Sequence, residues 1–540
     1  MAGFKNFLRQ VLINNVVFMV MFLIYPVLFF MSANPTTYLP EQYAAAVLCL
    51  AGVALTASAA IELLFYIFNN KSFFSSRAKR ILYVLAAFAI GYSPLRGATY
   101  ILIPLDIMFD AIIASVLLFA LFLDKKRPPI VNVLAVFLSF TCLFLYVSAI
   151  YEGHWKENRY SNVLDSSQEI EGIQFVSRPN VYYFYMESYH GREAMTELYN
   201  YDNAEFLGYL HKNKFRVYDN TYSNYRYTFA SLTGTFQMKH HYYIFERDSL
   251  DLDLSAKQIL SGEKHNSVLT AFKNNGYEVN YYLHSDYFFK RAHGVRFFNV
   301  KYNPWAALNP FFIWRFWDTW TADRATYISD MITMIEEAHK SSAPQFFFIS
   351  SGSEALGMID HTPGSFHRLP QEIRENTKST DFNKHPWKFY DYFISLYVDR
   401  VKAQNALFEK VLDRIITGDP NAVIILLGDH GAHRYRGIST EDMRDENIAP
   451  RDLANDFFNV LLAVRMPPGL TLPDADVISN VNVFRYVLSS LSGTTSLTDN
   501  KEEDVSLTTS TIFVRDGKPL DDPEPIILRE YRRHKLGIDE

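Results

Sequence analysis

Apolar residues are concentrated in the first 150 positions of the chain, where they form long runs with few charges. The first run, residues 10–40, has no charged side chain and exceeds the roughly 20 residues that a membrane-spanning helix needs. Its length, and the lack of a small-residue cleavage site, favour an uncleaved span over a signal peptide. Further runs predict spans at 42–68, 81–95, 99–123 and 129–151. The pattern therefore predicts a five-helix transmembrane bundle at residues 1–151.

Basic residues set the orientation of this bundle. They cluster before the first span, after the second and after the fourth: Lys5, Arg9, Lys71, Arg77, Lys79, Arg80, Lys125, Lys126 and Arg127. The alternate connections carry only Glu41 and Arg96. Because positive charge marks the cytoplasmic side, the N-terminus is predicted to be cytoplasmic and everything after residue 151 extracytoplasmic.

Three acidic side chains fall inside the predicted spans: Glu62, Asp106 and Asp110. Charged groups are costly in lipid, so they are expected to face protein or water. A lining of the bundle interior and its mouth is the favoured interpretation, and a pathway for a lipid substrate is the alternative.

The pattern changes after the predicted membrane domain. Residues 152–176 are polar and mixed, which predicts a linker or interfacial segment. Beyond them, four short runs rich in apolar and aromatic residues predict buried strands at 180–186, 278–283, 345–349 and 422–427. Helical periodicity between strands, clearest at 390–416, predicts an α/β domain over 177–540 with a mostly parallel sheet between helices. In such sheets the functional groups collect at the carboxyl ends of the strands.

Composition narrows the possibilities. A net charge of −6 over 540 residues gives no reason to expect nucleic-acid binding. The only cysteines, Cys49 and Cys142, lie in apolar runs, so residues 151–540 can form neither a disulfide nor a thiolate metal site.

Candidate chemistry follows the predicted strands. Glu187 comes after the first strand, Asp429 and His430 come after the last, and Thr228 opens an apolar helix-like segment as a predicted N-cap. Two carboxylates, an imidazole and a hydroxyl suit a divalent metal such as zinc or manganese. A metal beside the threonine would favour its alkoxide, which can attack phosphorus. Taken singly, each residue has an ordinary alternative: a helix cap, a turn or a surface histidine.

Three segments together resemble a known family. NVYYFYMES at 180–188, YSNYRYTFASL at 222–232 and VIILLGDHG at 423–431 resemble, in order and spacing, the sulfatase-like branch of the alkaline phosphatase superfamily. The helix that contains Leu396-Tyr397-Val398-Asp399 is similar to one in membrane-bound phosphoethanolamine transferases. This resemblance covers about residues 178–467. It implies an alkaline-phosphatase-like catalytic domain in the periplasm, held by a multi-pass anchor in the inner membrane.

The resemblance also implies roles for residues. Glu187, Thr228, Asp429 and His430 would bind a divalent metal, with zinc preferred over manganese or magnesium. Thr228 would be the nucleophile, taking phosphoethanolamine from a phospholipid donor and passing it to a cell-surface glycolipid or polysaccharide acceptor of the lipopolysaccharide type. His361 and His433 are candidates for binding the phosphate.

Departures from the family pattern leave other functions open. The Cys/Ser-x-Pro-x-Arg motif of true sulfatases is absent, which argues against sulfate-ester hydrolysis. The histidine-rich loop of lipid A-type transferases is absent too, because Ser350-Ser-Gly-Ser-Glu354 occupies that place. Phosphoglycerol transfer and phosphodiester hydrolysis on the same fold are the alternatives. A non-catalytic scaffold is disfavoured because all four site residues are present.

Overall fold

The computed structural model describes residues 17–33, 40–68, parts of 137–151, 168–240, 258–262, 265–283, 289, 294–298, 327–350, 390–435, 447–473, 478–508 and 511–525. The chain divides into two compact units. One comprises residues 1–156 with 302–319, and the other comprises 157–301 with 320–540. The predicted domain boundaries at 151 and 176 stay a prediction, although Ile173 and Phe175 of the predicted linker are buried in the core of the second unit.

The first unit contains helices α1 (Val17–Ala33) and α2 (Pro40–Phe68), which pack through apolar side chains such as Leu23, Val27 and Leu50. Of the described helices, one has a stretch long and apolar enough to cross a membrane, Glu41–Leu64. A buried helix of a soluble protein would meet the same criterion. The predicted spans at 81–95 and 99–123, with Asp106 and Asp110, lie outside the described residues, as does most of 129–151. The five-helix bundle therefore stays a prediction.

The second unit alternates helices and strands. In its first half these are α3 (Gln168–Glu171), β1 (Val181–Met186), α4 (Arg192–Tyr199), α5 (Ala204–Lys212), β2 (Arg216–Tyr218), α6 (Thr228–Gln237), α7 (Ser267–Asn274), β3 (Glu278–Tyr282) and β4 (Val295–Phe298). There follow α8 (Tyr327–Ala338), β5 (Gln345–Ser350), α9 (Tyr390–Gly418), β6 (Val423–Gly428), α10 (Pro450–Phe458), β7 (Leu462–Arg465), a 3-10 turn at Asn480–Asn482, α11 (Val483–Ser492), α12 (Ser496–Asp499), β8 (Val505–Leu507), β9 (Thr511–Arg515) and β10 (Lys518–Pro525).

Seven strands form one sheet in the order β2-β7-β6-β1-β5-β3-β4. The five strands β6, β1, β5, β3 and β4 are mutually parallel, whereas β7 runs antiparallel to both of its neighbours. The prediction of an α/β domain with a mostly parallel sheet is confirmed, and all four predicted strands are present within a residue or two of their predicted ends. Strands β8, β9 and β10 form a separate antiparallel sheet.

Side chains of β1 alternate between two apolar cores. Tyr183 and Tyr185 pack on the side of α6, with Leu232 and Phe236, whereas Tyr182, Phe184 and Met186 pack on the side of α9. This alternation follows from the two-residue period of a strand, and burial on both faces explains why β1 consists of aliphatic and aromatic residues. It also places Tyr185 on the face of the sheet that carries Thr228.

Candidate functional site

The carboxyl ends of β1 and β6 bring two predicted metal ligands to the same level of the sheet. The strands are adjacent and parallel, and the last pair in register joins Met186 to Gly428. Glu187 and Asp429 directly follow these two strand ends. Main-chain pairing at the centre of the sheet therefore brings the two residues near each other.

The two glycines around Asp429 and His430 permit close packing of this loop. A side chain on Gly428 would collide with the carbonyl oxygen of Tyr189 and with Val460, and one on Gly431 would collide with the carbonyl oxygen of Asp456. Glycine is therefore required at both positions, because the loop packs directly against neighbouring backbone.

Thr228 is buried at the start of α6, with its Oγ1 2.9 Å from Nε2 of His430. The prediction that Thr228 is the N-cap is wrong by one position, because Tyr227 is the cap and Thr228 is the first helical residue. The Thr228 hydroxyl contacts the imidazole and does not cap the helix. It still lies at the positive end of α6, where a negative charge is favoured.

His430 is oriented by its own loop. Its Nδ1 lies 2.7 Å from the carbonyl oxygen of Gly431, so Nδ1 carries the hydrogen and donates it. The lone pair of Nε2 is then directed at Thr228, and Nε2 also lies 3.1 Å from Oδ2 of Asp429. His433 stacks on His430 with ring centres 4.7 Å apart.

Asp429 is almost fully buried. Its Oδ1 accepts a hydrogen bond of 2.9 Å from the backbone N–H of Ser188, a residue with a positive φ of 54°. The hydroxyl of Tyr397 holds Ser188 in place by donating to its carbonyl oxygen. Burial raises the pKa of Asp429 to about 7, although the hydrogen bonds from Ser188 and Thr228 act in the opposite direction. A buried carboxylate of this kind is stabilised when a cation is adjacent.

Glu187 is tied to the site through Tyr185. The Tyr185 hydroxyl donates a 3.0 Å hydrogen bond to Oε2 of Glu187. The same hydroxyl is within hydrogen-bonding reach of Thr228, and burial raises its pKa well above the usual value. Tyr185 therefore connects a predicted ligand to the predicted nucleophile.

The candidate metal ligands partly fit a divalent cation. In the described part of the chain, no three His, Cys, Asp or Glu side chains lie close enough together to hold a metal ion. Thr228, Asp429 and His430 do converge, with 2.9 and 3.1 Å from Nε2 to its two oxygen neighbours. Ligands of one tetrahedral zinc lie about 3.4 Å apart, so small movements would admit the ion. Within the described residues, Oδ2 of Asp429 is buried without a well-formed hydrogen bond, as a ligand atom would be.

Asn480 is a functional candidate with no signal in the sequence pattern. Its Nδ2 donates to the carbonyl oxygen of Gly428 at 2.9 Å and to Oγ of Ser231 at 3.2 Å. One buried amide thus joins the end of β6 to the helix that begins at Thr228. Only the three-dimensional structure brings these distant segments together.

A buried polar group on α10 anchors the loop that follows His430. Both carboxylate oxygens of Asp456 accept backbone hydrogen bonds of 2.8 Å, from Arg434 and Tyr435. His190 accepts a 2.9 Å hydrogen bond from the backbone N–H of Ala432, and burial lowers its pKa to about 3. His190 is therefore a neutral structural residue.

The two candidates for phosphate binding have different outcomes. His361 lies outside the described residues. His433 is buried against His430 and Phe457, so it is adjacent to the predicted site, and its role in phosphate binding stays a prediction.

Comparisons with known proteins identify a family. The Sulfatase family model matches residues 179–469, more than half of the chain. No curated protein sequence matches the chain. Similar solved structures include the C-terminal periplasmic domain of EcEptC from Escherichia coli, with 11% identity over 65% of this chain and 93% of that one, at a TM-score of 0.37.

Two further structures are similar at the same level. The integral membrane lipooligosaccharide phosphoethanolamine transferase A (EptA) from Neisseria meningitidis has 14% identity over 85% of this chain and 77% of that one, at a TM-score of 0.37. The lipoteichoic acid synthase LtaP from Listeria monocytogenes has 11% identity over 64% and 86%, at 0.34. Similarity this low carries no information about the substrate of this chain.

Proposed function

This chain belongs to the sulfatase family, whose model matches residues 179–469, and we propose that it is a membrane-anchored phosphoethanolamine transferase. Its donor is a phospholipid, and its acceptor is a cell-surface glycolipid or polysaccharide. Transfer proceeds through a phosphorylated Thr228. A threonine at this position, with no Cys/Ser-x-Pro-x-Arg motif, supports transfer of a phosphorus group over hydrolysis of a sulfate ester.

One observation carries the proposal. The Thr228 hydroxyl lies at the N-terminus of α6 and 2.9 Å from Nε2 of His430, which in turn lies 3.1 Å from Asp429. A hydroxyl placed between an imidazole and a helix N-terminus is positioned to lose its proton and to carry an anionic group afterwards.

The reaction has two displacements at phosphorus. In the first, Oγ1 of Thr228 bonds to the phosphorus of the donor, and the bond from phosphorus to the diacylglycerol oxygen breaks; this oxygen leaves with a proton. In the second, an acceptor hydroxyl bonds to the same phosphorus, the bond to Oγ1 breaks, and the acceptor proton returns to Thr228. The N–H groups at the start of α6 stabilise negative charge on the transferred group in both steps.

The metal-ligand roles of Glu187, Thr228, Asp429 and His430 belong to this proposal. A divalent cation, zinc in preference to manganese or magnesium, would supply Lewis-acid stabilisation of charge on Oγ1 and on the phosphoryl oxygens. The convergence of Thr228, Asp429 and His430 supports this assignment, and Tyr185 holds Glu187 beside them.

The test is to trap the intermediate. The full chain, purified in detergent with zinc, is incubated separately with phosphatidylethanolamine and with phosphatidylglycerol, and the peptide that contains Thr228 is analysed by mass spectrometry. We expect a phosphoethanolamine adduct on Thr228 that disappears when acceptor glycolipid is added. A phosphoglycerol adduct would assign the alternative donor, and loss of the adduct to water at the same rate without acceptor would indicate a hydrolase.

A matched pair of variants completes the test. Thr228→Ala removes the proposed nucleophile, whereas Thr233→Ala removes a hydroxyl on the same helix that bonds to the carbonyl oxygen of Phe229. We expect no adduct and no transfer with Thr228→Ala, and normal labelling with Thr233→Ala. Transfer that survives in Thr228→Ala would disprove the covalent mechanism.

A further inference from the structure

An aromatic cluster lies on one side of His430, formed by Tyr227, His433 and Phe457. His433 stacks on His430, and the rings of Tyr227 and Phe457 each meet His433 edge-on, at 6.0 and 5.5 Å between centres. Tyr227 is 43% exposed, while His433 is buried. The cluster therefore extends from the buried imidazole of the proposed site to solvent, and we refer to these three residues as the aromatic rim.

Arg226 places a positive charge on this rim. Its guanidinium lies 4.7 Å above the ring of Tyr227 and 5.9 Å from that of Phe457, so it is one ring away from His433. Two faces of aromatic rings hold the cation by attraction to their π electrons. Such stacking fixes the orientation of the guanidinium while leaving its N–H groups along the edge of the plane available.

The donors of Arg226 have no protein acceptor in the described part of the chain. The guanidinium makes neither a hydrogen bond nor an ion pair with any residue that the structure describes, although the side chain is half-buried. Other arginines of this unit do have acidic partners: Arg296 pairs with Glu278, and Arg515 pairs with Glu524. A partly desolvated cation without a counterion is energetically unfavourable. Binding of an anionic ligand would supply the missing counterion.

The geometry of a guanidinium selects the kind of anion. Its parallel N–H groups match the two non-bridging oxygens of a phosphate ester and form charge-assisted hydrogen bonds with them. Arg226 is two residues before Thr228 along the chain, and Tyr227 between them is extended. A phosphate ester bound by Arg226 would therefore lie at the entrance to the proposed nucleophile.

We propose that Arg226, held on the aromatic rim, is a recognition residue for the phosphate ester anion of the substrate. This inference rests on the proposed function and adds to it a residue outside the metal-binding set. The anion has two possible sources, the phosphodiester of the lipid donor and a phosphate group on the acceptor, and both present the same non-bridging oxygens. Arg226 contributes binding energy and orientation, and it exchanges no proton.

Direct binding tests the proposal without turnover. Glycerophosphoethanolamine, a water-soluble phosphodiester, and inorganic phosphate are titrated by calorimetry into the full chain carrying Thr228→Ala and loaded with zinc. Adding Arg226→Met should weaken binding of both anions by about 10- to 100-fold, since hydrogen bonds to charged groups are lost. Arg226→Lys should restore part of the affinity, because the charge returns without the planar fork.

Arg216→Met is the matched control. Arg216 also stacks on a tyrosine, 4.8 Å above Tyr218, but it lies on the edge strand β2. The same substitution there should leave both affinities unchanged. The proposal would be overturned if the Arg226→Met and Arg216→Met proteins bound the anions equally well, whether both affinities were unchanged or both were reduced.

The half-reactions identify the source of the anion. If the donor phosphodiester is the ligand, Arg226→Met in the otherwise unaltered chain raises the donor concentration for half-maximal labelling of Thr228 and leaves the maximal rate nearly unchanged. If an acceptor phosphate is the ligand, labelling is normal and transfer from Thr228 to the acceptor needs more acceptor. No labelling of Thr228 in the unaltered chain, combined with anion binding that still depends on Arg226, would refute the proposed function alone.

Discussion

At the scale of single residues, Tyr185 shows how the site is held in place. Its hydroxyl donates to Glu187 at 3.0 Å, and Tyr185 is buried in β1, two residues before Glu187. Groups that hydrogen-bond to a metal ligand orient it and raise its affinity for the ion. The position lies outside the set of candidates that sequence patterns identify, because an aromatic residue in a buried strand is equally suited to simple packing.

Tyr185→Phe is predicted to weaken metal binding. The substitution keeps the ring and removes the hydroxyl, so Glu187 loses a hydrogen bond that helps to orient its carboxylate. We expect roughly tenfold weaker zinc affinity for the metal-free protein, measured by calorimetry against a competing chelator. The control is Tyr281→Phe, which removes a buried hydroxyl that donates 2.8 Å to the carbonyl oxygen of Leu260. Similar losses of affinity in both variants would remove the special role of Tyr185.

Asp456 gives a prediction about pH. Burial raises its pKa to about 6, above the usual aspartate value of 3.8, although Arg434 and the hydrogen bonds from Tyr199 and the backbone oppose the rise. A carboxyl with a raised pKa holds its proton more tightly in the folded state. Its contribution to stability is therefore fully present below pH 3.8 and is lost as the pH rises through 6, by at most about 3 kcal/mol.

Asp456→Asn supplies the reference for this effect, because the amide does not titrate in this range. The difference in Tm between the unaltered chain and Asp456→Asn, measured from pH 4 to pH 7.5, is expected to shift against the unaltered chain as the pH rises. The neighbouring His190 is neutral throughout this range, since its pKa is about 3. A difference that shifts the other way would mean that the backbone donors stabilise an ionised Asp456.

At the scale of elements, the site depends on how α6 is attached to the end of β6. Asn480 makes this attachment with hydrogen bonds to Gly428 and Ser231. Asn482, on the same 3-10 turn, instead bonds to the backbone of Glu502 and to Asp504, next to the antiparallel sheet. The two asparagines are buried to a similar extent, but their side chains bond to different segments, so they form a matched pair for mutagenesis.

Asn480→Ala is predicted to affect chemistry as well as stability. Loss of its hydrogen bonds should cost about 2–3 kcal/mol in the free energy of unfolding, with a similar cost for Asn482→Ala. Of the two variants, only Asn480→Ala should slow the labelling of Thr228, because Asn480 bonds to the nucleophile helix and to the end of β6, whereas Asn482 bonds to Glu502 and Asp504. Thermal unfolding and the labelling rate are measured on both proteins. Equal labelling rates at equal stability would show that Asn480 is merely structural.

The sequence predicts the elements of this domain better than it predicts the contacts between them. Strands β1, β3, β5 and β6 are buried on both faces, so their apolar runs are legible, and the chemistry at their ends follows from the parallel arrangement. The order of the strands, the antiparallel β7 and the small C-terminal sheet depend on long-range pairing that local patterns do not encode. The local sequence predicts Thr228 as the N-cap, whereas in the structure Tyr227 is the cap and the Thr228 hydroxyl bonds to His430, which is distant in sequence.

The same limit explains which residues of the site were missed. These residues act through contacts with segments far along the chain, or through burial and aromatic stacking: they are Tyr185, Arg226, Asn480 and Asp456. Single residues of these types have no characteristic spacing to reveal them. The sequence pattern does reveal Glu187, Asp429 and His430, because polar residues that follow a buried strand interrupt its apolar run.

At the scale of the whole molecule, the apolar N-terminal part and the sulfatase-family part have complementary roles in the proposed reaction. The proposed donor is a bilayer lipid, whereas the residues proposed to act on it lie in the second unit. A tether to the membrane raises the effective concentration of the site at the lipid surface, and no additional contact with the lipid is needed. The apolar N-terminal part, as the predicted membrane anchor, is therefore expected to matter for the lipid donor and to be dispensable for a soluble one.

Removal of residues 1–151 tests this division of roles. The remaining chain should label Thr228 from glycerophosphoethanolamine as fast as the full chain does, because both act on a donor in solution. With phosphatidylethanolamine in vesicles it should lose most of its labelling rate, since it no longer benefits from the tether. Cooperative thermal unfolding must first show that the shortened chain is folded. Equal rates on vesicles would contradict the tether argument, whereas a loss on both donors by a folded protein would place part of the catalytic apparatus in residues 1–151.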